Sequence, residues 1–210
     1  MIMDEIRRSF LDVIYKRIEQ GKSTLVIGKI GAGKTKFLEL VQPKQLSIAK
    51  VESLGSLNYI LISILRQKEY SFAPKINRSA QYLEAIRSIK NMAIIIDDIH
   101  DLRHYVFRYI KRIMDAETPV IMAGPPEAYA MLKENHEDIA CRLKVLNLPP
   151  ISVTDFRTNL TQFEEDTLEV IYGASFGNMW IFNEICEACL DSITKLKQQK
   201  VSMEIVKEFI

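Results

Sequence analysis

The chain has 210 residues, of which 48% are hydrophobic and 26% charged, and its formal net charge is +1. This is ordinary globular composition, with enough residues for one good core or for a core domain with a small appendage. The balanced charge does not point to any particular class of partner, so any nucleic-acid surface has to be a local basic patch. No apolar run is long enough to cross a bilayer, and the charged N-terminus has no apolar signal core, so we expect a cytoplasmic protein without a membrane partner.

Strands and helices alternate through the first 150 residues. Apolar residues at helical spacing predict a first helix over 2–20. The predicted strands are 23–28, 46–51, 92–97, 119–124 and 141–148. The predicted helices between them are 34–41, 57–67, 79–89, 102–114 and 126–135. This alternation predicts an α/β fold with a parallel sheet.

After the proline pair at 149 and 150 the sequence predicts only helices. They cover residues 153–160, 165–175, 178–197 and 203–209, and Ser152 with Asp155 has the pattern of a capping box. We therefore predict two domains, an α/β core over 1–150 and a small all-helical domain over 151–210.

The cysteines and histidines do not suggest a metal centre. Cys186 and Cys189 form a C-x-x-C pair within a predicted helix, and no second ligand pair follows. His100 and His104 are four residues apart and could share a helix face, again without a third ligand nearby. We expect reduced cysteines and ordinary histidines.

Residues 28–35 read "GKIGAGKT" and match the phosphate-binding motif G-x-x-x-x-G-K-T, between a predicted strand and a predicted helix. Its glycines allow backbone N–H groups to turn toward phosphate oxygens. Lys34 is expected to reach the β- and γ-phosphates, and the Thr35 hydroxyl is expected to ligate Mg²⁺. The predicted nucleotide-binding residues are Gly28, Lys29, Ile30, Gly31, Ala32, Gly33, Lys34, Thr35 and Lys36.

The most apolar predicted strand ends in two acids, Asp97 and Asp98. Asp97 is expected to hold Mg²⁺ through water, as the strand-end aspartate does in P-loop NTPases. Asp98 is the candidate for orienting the attacking water, although it could instead only tune the metal site. No N-K-x-D or L-S-G-G-Q motif occurs, so guanine specificity and an ABC ATPase find no support.

The run from Asp97 to Pro150 resembles AAA+ ATPases of the origin-recognition and transposition-helper kind, including the TniB/TnsC-like and ExeA-like proteins. The order of "IIIDDIHDL", a helix, a strand, "GPPEA", a helix, "CRL" and "LPP" carries the resemblance. It implies a P-loop NTPase core with a helical lid over 151–210, and Mg²⁺-dependent ATP hydrolysis. It also implies non-specific binding to double-stranded DNA, a homo-oligomeric ring or filament, and a transposase or replication protein as partner.

Arg142, in "CRL", stands where the resemblance implies an arginine finger directed at ATP on a neighbouring subunit. Such a finger stabilises charge on the γ-phosphate, and the catalytic residues would then be Lys34, Asp98 and Arg142. The alternative is a surface arginine whose stem lies along apolar neighbours.

Three positions depart from the family pattern. The acid pair is Asp97-Asp98 instead of Asp-Glu, Pro125 replaces a polar sensor, and Trp180 replaces the arginine of a G-x-x-R motif that starts at Gly177. A proline cannot hydrogen-bond the γ-phosphate, and a shorter acid positions water less well. We therefore expect ATP binding with slow hydrolysis.

Two basic patches are candidates for DNA binding. One contains Lys68, Lys75 and Arg78 in a predicted loop with interleaved Tyr70 and Phe72, and the other contains Arg103, Arg108 and Lys111 on a helix face. Solvated helix faces often have the same composition. Two other functions stay open: a STAND-like nucleotide switch acting on a protein, where a tandem Asp is common, and a viral or plasmid motor ATPase.

Overall fold

The computed structural model describes residues 5–43, 46–51, 57–67, 83, 86–87, 91–153, 160–164 and 166–210. The chain divides into two compact units. The first contains Ile6–Gly28 and Lys34–Asn147, and the second contains Lys29–Gly33 and Leu148–Ile210. The two-domain division at residue 150 stays a prediction.

A five-stranded parallel sheet forms the centre of the first unit. Its strands are β1 (Thr24–Ile27), β2 (Ser47–Val51), β3 (Met92–Ile96), β4 (Val120–Gly124) and β5 (Lys144–Asn147), in the spatial order β2-β3-β4-β1-β5. Each residue of β3 and β4 is buried, as expected for central strands covered on both faces. The predicted parallel α/β fold is confirmed, and it is the P-loop NTPase fold.

Helices accompany these strands in the first unit. They are α1 (Glu5–Glu19), α2 (Lys34–Glu39), α3 (Leu57–Gln67), α4 (His104–Asp115), α5 (Pro126–Asn135) and α6 (Glu137–Ala140). Helix α4 buries Val106, Ile110 and Ile113 on one face, as its apolar spacing predicts. The predicted helix over 79–89 lies mostly outside the described residues.

The register of the sheet brings the motif residues to one edge. Ile27 at the end of β1 is level with Gly124 at the end of β4, and the Gly28 N–H donates to the Gly124 carbonyl oxygen over 3.3 Å. On the other side of β4, Ile96 of β3 is level with Met122. Parallel strands end at the same edge of a sheet, so Gly28, Asp97 and Pro125 all begin their loops there.

The second unit is built from helices around its own apolar core. They are α7 (Thr167–Ala174), α8 (Met179–Leu196) and α9 (Met203–Val206). Phe182, Cys186 and Cys189 of α8 lie in this core, and burial raises the pKa of the Cys186 thiol to about 12. The segment predicted as the 153–160 helix, with Asp155 of the capping box, lies largely outside the described residues.

The predicted strand over 141–148 was wrong at its start. Residues 141–143 form the turn that follows α6, in which the Arg142 N–H donates to the Ile139 carbonyl oxygen over 3.0 Å, and β5 begins only at Lys144. A four-residue helix is too short to show apolar periodicity, so α6 could not be predicted. His100 and His104 likewise do not share a helix, because His100 lies in a 3-10 turn (Ile99–Asp101) and His104 begins α4.

Among the described residues, no helix has the length and apolar character that a membrane crossing requires.

Candidate nucleotide site

The loop Lys29–Gly33 connects the end of β1 to the start of α2 along the chain. Gly31 and Gly33 have φ values of 80° and 81°, in the left-handed region that favours glycine. The Ala32 N–H donates to the Lys29 carbonyl oxygen over 3.1 Å, which closes a turn within the loop, and Ile30 at its tip is 80% exposed. Gly31 and Gly33 therefore stand where the backbone conformation favours glycine.

Lys34 begins α2 with its ammonium group directed back at the start of the motif. Its Nζ donates to the Gly28 carbonyl oxygen over 2.9 Å. Desolvation lowers the pKa of Lys34, while the charges of Asp98 and Asp97 act to raise it. The lysine therefore shares its surroundings with both acids of the second motif. Lys36, two residues after Lys34, is exposed and pairs with Glu39 over 3.1 Å.

Thr35 and Asp97 come together although they are 62 residues apart. The Thr35 hydroxyl donates to Asp97 Oδ2 over 2.6 Å. A hydroxyl and a carboxylate at this separation are a hard, all-oxygen donor pair, which suits Mg²⁺ because this ion takes one or two protein oxygens beside phosphate and water. These two residues fit the predicted metal role.

Asp98 has a left-handed backbone, with φ 48° and ψ 49°. Its N–H donates to Asp97 Oδ1 over 2.9 Å, so the first acid holds the backbone of the second. Although the residue is exposed, desolvation and then the charge of Asp97 raise the pKa of its carboxyl, against opposing effects of His100 and Lys34. A raised pKa is typical of a carboxyl that takes part in proton transfer.

This backbone conformation gives a testable consequence for stability. Asparagine adopts the left-handed region readily and alanine does not, so Asp98→Ala is expected to unfold about 1 kcal/mol more easily than Asp98→Asn. Both variants are neutral, so the comparison removes the effect of charge. Urea unfolding of the two variants measures the difference, and equal stabilities would show that the left-handed conformation of Asp98 is not required.

Arg142 lies in the exposed turn after α6, and in this chain it meets an acid. Its Nη1 pairs with Asp115 Oδ1 at the end of α4, and Lys111 Nζ contacts Asp115 Oδ2 over 3.0 Å. These two partners hold the pKa of Asp115 below its usual value. The Arg142 side chain is 41% exposed, and a pair this exposed contributes at most about 1 kcal/mol, so Arg142 can exchange its partner at little cost.

The DNA-binding candidates separate into three groups. Arg103 and Arg108 are exposed on the α4 side of the chain. Lys111 faces two carboxylates, Asp115 over 3.0 Å and Asp138 over 3.9 Å, which reduce the charge that it offers to a phosphate. Lys68, Lys75 and Arg78 lie outside the described residues.

The structure shows where Pro125 and Trp180, two of the departures from the family pattern, lie. Pro125 follows β4 and precedes α5, where it offers neither an N–H nor a polar side chain. Trp180 lies in the first turn of α8 and is 67% exposed. Its N–H donates to Asn178 Oδ1, and Asn178 in turn packs on Gly31 of the phosphate loop. This contact of Asn178 and the Asp115 partner of Arg142 could not be found from the sequence.

Known proteins share this fold. The chain is similar to the ORC2 protein of Aeropyrum pernix in its ADP form, with a TM-score of 0.77 and 16% identity over 99% of this chain and 68% of that one. It is similar to the ORC1 protein of the same organism in complex with DNA, with a TM-score of 0.78 and 12% identity over 99% of this chain and 65% of that one. For the RuvB Holliday junction branch migration motor of Thermotoga maritima the TM-score is 0.66, with 15% identity over 99% and 68% of the two chains.

The chain thus spans about two thirds of the length of these three proteins. No curated protein matches it. A family model described as an AAA domain matches residues 17–132, which is more than half of the chain and runs from the end of α1 into α5. This chain belongs to the AAA domain family.

Proposed function

We propose that this protein is an AAA+ ATPase of the origin-recognition and transposition-helper kind, which binds double-stranded DNA non-specifically when loaded with ATP and Mg²⁺. The observation that carries the proposal is the cluster of Lys34, Thr35, Asp97 and Asp98. Its key distances are 2.6 Å from Thr35 Oγ1 to Asp97 Oδ2 and 2.9 Å from the Asp98 N–H to Asp97 Oδ1. Family membership supports the same nucleotide chemistry.

Each residue of the cluster has a role that its chemistry supports. Lys34 would exchange the Gly28 carbonyl for phosphate oxygens and neutralise their charge. Thr35 and Asp97 would hold Mg²⁺, which neutralises charge on the β- and γ-phosphates when it is bound. Asp98 would orient the attacking water and accept its proton.

Slow hydrolysis follows from the same residues. Asp98 is one methylene shorter than the glutamate common in the family, and its position is set by a left-handed backbone. Pro125 cannot hydrogen-bond a γ-phosphate, and Trp180 cannot replace an arginine there. ATP would therefore stay bound to this protein, as a signal, for longer than a motor ATPase takes to hydrolyse it.

We assign Arg142 as a finger that acts on ATP in a neighbouring copy. Its exposed turn supports this role, because the bond from the Arg142 N–H to the Ile139 carbonyl oxygen anchors the backbone there and the planar guanidinium offers five donors in a fork that matches phosphate oxygens. The weak pair with Asp115 would be exchanged for the γ-phosphate when copies assemble.

The proposal of DNA and protein partners rests on similarity to known proteins and on exposed positive charge. The similar ORC1 structure is a complex with DNA, and RuvB is a branch migration motor. Arg103 and Arg108 offer exposed charge for phosphates, and Lys68, Lys75 and Arg78 extend the basic set in sequence. The resemblance to TniB/TnsC-like and ExeA-like proteins supports a transposase or replication protein as the partner that the assembly recruits.

Calorimetric titration with ATP, ADP and GTP, with Mg²⁺ or with EDTA, tests the nucleotide part of the proposal. We expect ATP and ADP to bind, ATP binding to weaken in EDTA, and light scattering to show larger particles with ATP than with ADP. Absence of ATP binding would contradict the proposed function.

A further inference from the structure

The phosphate loop is held by the first turn of the lid helix α8, within the second unit of the chain. The Met179 N–H donates to the Gly31 carbonyl oxygen over 3.2 Å. The N–H of the same peptide group, on Ala32, donates to the Lys29 carbonyl oxygen over 3.1 Å. Because a peptide group is planar, these two bonds fix the Gly31–Ala32 peptide from both sides.

Asn178 supplies a side chain to this contact. A Cβ atom at Gly31 would lie 2.2 Å from Asn178 Oδ1 and 2.8 Å from Asn178 Cα, far below any contact that real side chains make. Because one of these atoms is backbone, the approach could not be relieved by a change of rotamer. Gly31 is therefore required twice, once by its φ of 80° and once by the approach of Asn178.

The same side chain also caps α8. Asn178 has extended φ and ψ, and its Oδ1 accepts from the Trp180 N–H over 3.0 Å, as an N-cap residue does. One residue thus connects the start of an 18-residue helix to the phosphate loop. The sequence places this connection in the very motif, 177–180, where the family pattern would have an arginine.

We propose that Asn178 is a positioning residue for the phosphates of ATP, and that the lid senses the nucleotide through the Asn178–Gly31 contact instead of through an arginine. The inference rests on the proposed function, because it assigns a role in ATP binding. Holding the Gly31–Ala32 peptide fixes the loop in the conformation whose following amides receive phosphate oxygens. A nucleotide that changes the conformation of the loop then also shifts the start of α8 through this contact.

Three substitutions separate this role from that of a simple helix cap. Asn178→Ser keeps a cap acceptor but loses the amide group that lies against Gly31. Asn178→Asp keeps both the shape and the cap but adds a negative charge beside the loop. Asn178→Ala loses the cap and the contact. Asn135→Asp makes the same change of charge at the exposed end of α5 and serves as the control.

The measurement is the Kd for ATP and for AMP, with thermal unfolding of each variant without nucleotide. We expect Asn178→Ser and Asn178→Asp to keep the Tm of the wild type yet to raise the ATP Kd about ten-fold, because the Gly31–Ala32 peptide is then no longer held in the conformation that presents the loop amides to the phosphates. The Asp variant should recover part of the loss at high salt, and the AMP Kd should change little, because AMP lacks the β- and γ-phosphates.

If the Ser and Asp variants bind ATP as the wild type does, Asn178 is only a helix cap and the inference is overturned. An equal loss of ATP and AMP affinity would also overturn it, because the effect would then not concern the phosphates. A wild type that fails to bind ATP would overturn the proposed function itself, which distinguishes the two failures. A loss of ATP affinity in Asn135→Asp as large as in Asn178→Asp, together with normal ATP binding in Asn178→Ser, would show that added charge alone explains the result and would also overturn the inference.

Discussion

Replacing Lys34 with alanine is expected to raise the Kd for ATP about 100-fold and to abolish measurable hydrolysis. Lys34 is the cation at the start of α2 whose Nζ already lies 2.9 Å from the Gly28 carbonyl oxygen at the base of the motif. Two charge-assisted hydrogen bonds to phosphate oxygens contribute about 3 kcal/mol together, which corresponds to this change in Kd.

The matched control is Lys133→Ala, which removes an exposed lysine from α5 in the same unit. Calorimetry with ATP and Mg²⁺ compares the two variants with the wild type. The account predicts near-normal binding for Lys133→Ala and binding weakened about 100-fold for Lys34→Ala. Equal ATP affinity in both variants would show that the phosphates of ATP do not bind at this motif.

Arg142→Ala is expected to bind ATP with unchanged affinity but to lose at least about 100-fold in the turnover of the assembled protein. The guanidinium is needed for charge that develops on the γ-phosphate during the reaction, and the ground state in a single copy does not use it. Lys144→Ala, two residues further along at the exposed start of β5, is the control.

A mixing experiment tests whether Arg142 acts between copies. Lys34→Ala copies keep the finger but lack a working site, and Arg142→Ala copies keep the site but lack the finger. Mixed in equal amounts, the two inactive proteins should recover part of the wild-type turnover. At an interface where an Arg142→Ala copy supplies the site and a Lys34→Ala copy supplies the finger, both are intact. No recovery in mixtures that do assemble would show that Arg142 does not act in trans.

The sequence predicted the fold well where the signal is local. Strands β3 and β4 are short, fully apolar runs, and α4 repeats its apolar residues every three or four positions, so neither needs knowledge of the rest of the chain. The phosphate loop was equally predictable, since the spacing of its glycines reflects the backbone conformation seen at Gly31 and Gly33.

The parts that could not be predicted depend on residues far apart in the chain. Arg142 was expected within a strand among apolar neighbours, but it lies in a turn and pairs with Asp115. The sequence around Arg142 does not indicate this partner, because Asp115 lies 27 residues away in the chain. Asn178 and Gly31 are separated by most of the chain, and the sequence shows only an unusual residue set where the family has an arginine. The left-handed backbone of Asp98 is set by its bond to Asp97 and by the 3-10 turn after it.

The most direct test of the central claim, that ATP switches on DNA binding, is fluorescence anisotropy of a labelled DNA duplex titrated with the protein. The titration is made with ATP, with ADP and without nucleotide, at about 50 and 200 mM salt, and is repeated with the Arg103→Glu/Arg108→Glu variant. The account predicts tight binding only with ATP, weakened steeply by salt, and further weakened in the variant because two phosphate contacts are lost. Absence of binding in every nucleotide state would contradict it and would favour a STAND-like switch that acts on a protein.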